Sequence, residues 1–378
     1  MLLQLDADQG VLRETTARFL DDQVPVATLR GLRDDPTGFE ADYWRRGAEL
    51  GWTSLLVDEA LGGGRVSDAG LVDLSLIAYE FGLHAAPGPL VSTNLVAAAL
   101  SAAGGRPEGV LDRLLSGEAI ASWCLNEPVP HDRLDEVALE AAVDGDEVVL
   151  DGVKRPVESA GDAGFLLVTG RTGSGLTQLL VPTDTPGISI EPMHSVDLTR
   201  RFAAVTFDGV RVPSSAVLGE VGGADEQVAW QLQLAAVLTS AESVGAMQRA
   251  FDMTVEWAFE RYSFGRPLAS YQELKHRFAD MKTWLEASHA ITDAAAIAVA
   301  AEAPNGGELA GAAKVFTGEQ GVELAQDCVQ IHGGIGVTFE HDLHLYLRRI
   351  TLNRTLYGTP AEHRQRLGAV VAQRIEAA

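Results

Sequence analysis

The apolar period of this chain changes twice, and those changes constrain its fold more than any single residue does. Over 1–117 the spacing is helical, with Leu12, Thr16, Phe19 and Leu20 recurring on one face. Tyr43, Trp44 and Leu50 follow before a break at Gly51, and Ser67 is suited to cap a helix running to Gly82. Past Pro87-Gly88-Pro89, an alanine-rich helix is expected near 90–103. Over 118–223 short β-branched runs alternate with Gly, Asp and Pro, and Asp144-Gly145 and Asp151-Gly152 are hairpin signals. No helical crossover of about a dozen residues separates these runs, so an antiparallel sheet is expected. From 224 the helical period returns. Val228, Leu232, Ala235, Thr239, Glu242 and Ala246 share one face, and Met247, Phe251, Val255 and Phe259 extend it. Leu274, Phe278, Met281 and Leu285 mark a second helix to about Ala303. Pro304-Asn305-Gly306-Gly307 breaks it, and two more helices are expected near 308–331 and 341–356. The expectation is an α+β chain: a helical domain (1–117), a compact antiparallel β domain (118–223) and an up-down four-helix bundle (224–378).

Composition narrows the partners. With 29 basic against 53 acidic residues the net charge is −24, which argues against nucleic acid and against anionic membranes. It leaves anionic ligands open where a few arginines act locally, because distant charge is screened. No apolar run is long enough to span a bilayer, and the acidic start, MLLQLDADQG, does not read as a signal peptide. Two cysteines, Cys124 and Cys328, fit a reducing compartment, so a cytoplasmic protein is expected.

Two stretches carry chemistry. Residues 261–272, RYSFGRPLASYQ, offer two guanidiniums, aromatic rings and an amide just after a long helical segment. Residues 330–336, QIHGGIG, offer three glycines behind another amide. Arginine's donor fork suits phosphate oxygens, and glycine lets a backbone approach a ligand closely. A GGxG turn alone is commonly a helix end, but the order RxxFGxxxxxxQ then QxxGGxG is far more specific. Together they read as a place for a diphosphate-bearing cofactor between helices.

With RYSFGRPLASYQELKHRFADM (261–281), QDCVQIHGGIGVTFEHDLHLYLRR (326–349) and LYGTPAEHR (356–364), the chain resembles the acyl-CoA dehydrogenase family. A weaker match over 191–219 is similar to that family's middle domain. The resemblance implies FAD-dependent α,β-dehydrogenation of an acyl-CoA thioester, fatty or steroid, with the flavin shared across a subunit interface. It implies a homo- or hetero-oligomer, dimer or tetramer, and an electron-transfer flavoprotein or similar acceptor. Carried over by position, Arg261, Phe264, Gln272, Gln330, Gly333, Gly334 and Thr359 become the FAD-contacting residues.

The reaction needs a base for the proton α to the carbonyl, and the family's usual glutamate positions are held here by Tyr357 and Ala235. A phenol is a poor base at neutral pH. The one acid on the apolar face of that helix is Glu242, read either as a displaced base or as a structural ion pair. At the first β segment Asn126-Glu127-Pro128 keeps the family's Glu-Pro, but Val129 to Asp132 loses its Gly-Ser. Pro156-Val157-Glu158 stands where relatives have Trp-Ile-Thr. The groups that reach a neighbour's flavin are thus present while the base and flavin-facing groups are not. That pattern raises an alternative: a non-catalytic partner subunit completing the FAD site of a heteromeric enzyme. The endings of small actinobacterial relatives acting on steroid thioesters, which form unequal pairs, are similar to 358–364. No metal is expected: His332 and His363 lack partners at ligand spacing, and His341 with His344 is too few ligands. Arg348 and Arg349 are read as helix-surface charges or as neighbours of an anionic ligand.

Overall fold

The structure is a computed structural model and describes residues 4–128 and 136–377. Asp6 starts the first helix with a capping box: its carboxylate accepts from the Gln9 amide at 2.8 Å, and the Gln9 side chain accepts from the Asp6 N–H. The N-terminal unit then runs through α1 (Ala7–Gln23), α2 (Val26–Leu29), α3 (Ala41–Glu49), α4 (Gly70–Leu83), α5 (Leu90–Ala102) and α6 (Val110–Leu115). Leu12, Thr16 and Leu20 are its buried stripe on α1. Ser67 does not cap α4. Its hydroxyl donates to Asp73 and accepts from the Ala69 amide, and the helix starts three residues later because the buried Asp73 carboxylate gathers that turn.

The middle unit holds β1 (Ala121–Cys124), β2 (Glu140–Asp144), β3 (Glu147–Glu158), β4 (Phe165–Thr172), β5 (Gly175–Pro182), β6 (Ile188–Met193), β7 (Phe202–Pro213) and β8 (Val217–Leu218). The path through the sheet is β6-β7-β3-β2-β4-β5-β8. It is mixed rather than purely antiparallel: β1 enters from the helical unit and lies parallel to β4, pairing Ala121 with Phe165. Gly145 sits in the β2–β3 hairpin with φ +63°. Gly152 makes no hairpin. It sits at a register shift inside β3 with φ +141°, so Asp151-Gly152 marks a bulge.

The C-terminal unit is α7 (Asp225–Glu260), a short hairpin of β9 (Tyr262–Ser263) and β10 (Arg266–Pro267), then α8 (Gln272–Ala300), α9 (Gly306–His332), α10 (Leu343–Asn353) and α11 (Pro360–Ala377). Three helices are long; α10 has only 11 residues, and α11 continues past the expected bundle.

The N- and C-terminal units meet where α4 crosses α7 backbone to backbone. A Cβ on Gly82 would lie 1.8 Å from the Glu242 carbonyl oxygen, and one on Gly245 would lie 2.0 Å from that of Tyr79. The two helices therefore leave no room for a ligand at this level. Gly245→Ala is expected to destabilise by at least about 3 kcal/mol, since neither backbone can give way. Thermal melts check this; an unchanged Tm would mean the helices are not in contact.

Candidate functional site

At that crossing, five charged side chains from the middle and C-terminal units meet out of water. Glu242 of α7 is 3% exposed, Arg349 of α10 0%, Arg200 and Asp197 3%, and Glu158 at the end of β3 4%. Arg349 donates from Nη1 to Glu242 Oε1 at 2.6 Å, and Arg200 from Nη1 to Oε2 at 3.0 Å. Asn353 Nδ2 adds a bond to Oε2 at 2.8 Å. The other arms of the guanidiniums hold Glu158, from Arg200 Nε, and Asp197, from Arg349 Nε. Arg349 also donates to the Ala86 carbonyl at 3.0 Å, tying in the chain just past α4. Of the two readings of Glu242, this geometry fills the ion pair: its oxygens are occupied by fixed cationic donors. Arg349 is no surface charge. Its place between Tyr346 and Ile350 on an apolar helix face was the sequence signal for its burial.

Burial pushes the Glu158 carboxyl up against the pull of Arg200. Burial acts the same way on Asp197, but Arg349 and the Thr199 amide hold it below the ordinary carboxylate value. Three carboxylates face two guanidiniums. Lys314 of α9, 2% exposed, donates to the Asn353 carbonyl and feels the Glu242 charge. Burial lowers its pKa from 10.5 to about 7.

Of the two usual base positions, Tyr357 lies near this cluster and Ala235 lies about two turns before Glu242. Ala235 is buried in α7. Tyr357, 7% exposed, stacks on Trp123 with ring centroids 6.0 Å apart. Its φ of +54° is a left-handed strain carried by a bulky residue. Burial drives its phenol far above the usual tyrosine value. His363, expected to be solvent-facing or hydrogen-bonded, is buried and bonds the Tyr357 carbonyl at 3.1 Å.

The sequence-predicted cofactor residues separate into two places. Arg261, Phe264, Gln272, Gln330, Gly333 and Gly334 are exposed. They converge because Trp257, one turn before Arg261, stacks on His332 of the QIHGGIG turn at 5.3 Å. A Cβ on Gly333 or Gly334 would meet nothing within 4 Å, so the turn is open on its outer side. Thr359 instead lines a pocket of about 400 Å³ with Leu125, Asn126, Pro156 and Leu356. Its amide and hydroxyl are engaged by Glu362.

The two places differ in their fit to FAD. The exposed set offers a guanidinium, amides and open glycine backbone to a diphosphate and adenosine, and it fits. The pocket lining is mixed: Glu127, Glu136 and Glu362 bring acceptors, with Glu127 held by Lys154 and Glu362 by Thr359, while Asn126, His194 and Ser195 can donate to a ring rich in acceptors. The lost Gly-Ser at Val129 to Asp132 lies outside the described residues. Among the described residues no group of His, Cys, Asp or Glu could hold a metal, and no helix is long and apolar enough to cross a membrane.

Comparison with known proteins bears on these places. Family models for the acyl-CoA dehydrogenase N-terminal and C-terminal domains match residues 6–118 and 226–372. The chain is 30% identical to the Mycobacterium tuberculosis acyl-CoA dehydrogenase IpdE2, over 96% of this chain and 97% of that one. It is 30% identical to a mitochondrial isobutyryl-CoA dehydrogenase of Dictyostelium discoideum, over 85% and 80% of the two chains. A solved variant of the Tcur3481-Tcur3483 steroid ACAD superposes with TM-score 0.88 at 27% identity, over 98% of this chain and 99% of that one. The Megasphaera elsdenii butyryl-CoA dehydrogenase shares the fold, with TM-score 0.88 at 23% identity over 98% and 100%.

Glu242→Gln is expected to cost the isolated chain about 3–5 kcal/mol, the loss seen when one partner of a buried ion pair is removed. Denaturant titration checks it, and a chain as stable as wild type would reopen the base reading. Lys314 sets a pH dependence. Between its folded pKa of about 7 and its ordinary 10.5 the unfolded chain binds more protons, so stability rises with pH from 7 upward. Lys314→Met is expected to flatten that rise in melts taken across this range.

Proposed function

The chain belongs to the acyl-CoA dehydrogenase family of FAD-dependent oxidoreductases acting on acyl-CoA thioesters, and we propose that it takes its part in α,β-dehydrogenation as one member of an unequal pair, completing a flavin site shared with an unlike chain. The carrying observation is the contrast just described: every base position is apolar, phenolic or locked in ion pairs, while the groups that reach outward are free to do so.

In this reading the Arg261 guanidinium takes the diphosphate oxygens, Gln272 and Gln330 bind the nucleotide by their amides, and the Gly333-Gly334 backbone closes on it. Phe264 supports an outward role. It is 98% exposed at the tip of the β9–β10 hairpin, with φ +47° ahead of Gly265 at +80°. Such a two-residue turn favours Asn-Gly, and a bare phenylalanine there is strained and unpacked unless another chain covers it. FAD supplies the hydride acceptor of the reaction. On this chain no residue is assigned to moving the substrate proton. Thr359, lining the pocket of about 400 Å³, would meet the flavin from this chain's own side.

The likeness to a protein named as a steroid ACAD supports a steroid or other bulky acyl thioester as substrate, with an electron-transfer flavoprotein as acceptor. The likeness to a two-component steroid ACAD supports an unlike partner in a dimer or tetramer. Two buried free cysteines support a cytoplasmic setting.

Purified alone, the chain is expected to be colourless and inactive, and yellow only when co-expressed with its catalytic partner. A yellow, active preparation of the lone chain would replace this reading with a self-sufficient enzyme. Phe264→Asn should raise the lone chain's stability by about 1 kcal/mol by relieving the turn, and lower the flavin carried by the complex. Undiminished flavin would remove the hairpin from the site.

A further inference from the structure

The histidine inside the QIHGGIG turn has no role in the reading above, yet it is the most constrained residue of the turn. His332 is 4% exposed, and its Nδ1 bonds the Cys328 carbonyl at 2.8 Å, so the proton sits on Nδ1. Nε2 is left as a buried lone pair with no partner. One ring face lies on Trp257, and His341 stands edge-on at 4.6 Å. His341 accepts from the Leu343 amide through its own Nδ1. The turn folds back onto the root of this side chain: a Cβ on Gly336 would lie 2.8 Å from His332 Cβ and 2.7 Å from the Val329 carbonyl oxygen.

We propose that His332 is a positioning residue: held uncharged between Trp257 and His341, it fixes the turn that presents Gln330, Gly333 and Gly334, and protonating its ring releases that turn. What the turn touches rests on the partner-subunit reading.

The surroundings oppose a proton at Nε2. His341 offers a second imidazole, not an anion. Beyond it Asp342 is already spent on Arg30, at 2.8 Å, and Arg30 keeps cationic charge on that side. His344 stacks on Phe339 at 4.6 Å, with Arg33 over the far face of that ring and Arg348 nearby. On its own helix Asp327 is paired with Arg277, and the Cys328 thiol is kept protonated by burial. Burial lowers the pKa of His332, and likewise those of His341 and His344. An imidazolium gains some cation–π attraction from Trp257, but an unpaired buried N–H⁺ loses more. His332 closes α9 and the turn packs on its Cβ through Gly336, so a ring that moves out from between Trp257 and His341 carries the turn with it. The sign follows: geometry is kept above the ordinary value of 6.5 and lost as pH falls from there through the lowered pKa.

The test has two arms. On the chain alone, histidine-selective NMR should find His332 titrating below 6.5, with the Gly333 and Gly334 amide shifts following the same curve. On the complex isolated through a tag on this chain, FAD retention should fall about tenfold between roughly pH 7.5 and 5. His332→Phe should flatten that fall, and His332→Arg should weaken retention at every pH. Glycine amides that ignore the titration, or an unchanged fall in His332→Phe, would overturn the proposal. A complex without FAD at any pH would sink the partner-subunit reading, while the amide titration still decides the role of His332.

Discussion

Two guanidiniums share the carboxylate of Glu242, and the relation between the three parts of the chain depends on that sharing. Arg200 comes from the segment between β6 and β7, Arg349 from α10, and Glu242 from α7. Arg349 also reaches the carbonyls after α4. Each charge has lost its hydration, so each is tolerable only while the others stay in place. This makes the cluster a fixed point around which the sheet and both helical units are arranged. Lys314 lies within reach of the Glu242 charge, but burial lowers its pKa to about 7, so it loses its proton as pH rises above that.

The same cluster occupies both carboxylate oxygens of Glu242. A proton-abstracting carboxylate must be free to approach carbon, and a buried one raised in pKa is suited to that work. Glu242 instead meets Arg200, Arg349 and Asn353. Tyr357 is turned onto Trp123, and α4 touches α7 through Gly82 and Gly245. Space that could admit an acyl chain at the crossing is taken by backbone. The exposed polar groups lie elsewhere, at the β9–β10 hairpin and the glycine turn, where Phe264 stands open at a left-handed φ.

Much of this was legible in one dimension. The changes of period near 118 and 224 separate the helical and β parts because a strand and a helix demand different apolar spacing. The hairpin and glycine turn were legible because their backbone geometry needs glycine at fixed places, as at Gly265 and Gly333. Where local signals were ambiguous the reading slipped. Asp151-Gly152 writes a hairpin and a bulge in the same letters. The parallel pairing of β1 with β4 has no local signature, since it joins residues some forty positions apart.

The sequence by itself determined which residue types were available: no acid at Tyr357 or Ala235, an arginine before Phe264, glycines after His332. Only the tertiary structure decided what the charges do. Glu242, Arg200, Arg349, Glu158 and Asp197 are spread over nearly two hundred positions, and a charge's partner is set by distance in space, not along the chain. For Glu242 the sequence left base and ion pair both open. Folding brought two guanidiniums to its oxygens, a pairing that only distance in space could reveal.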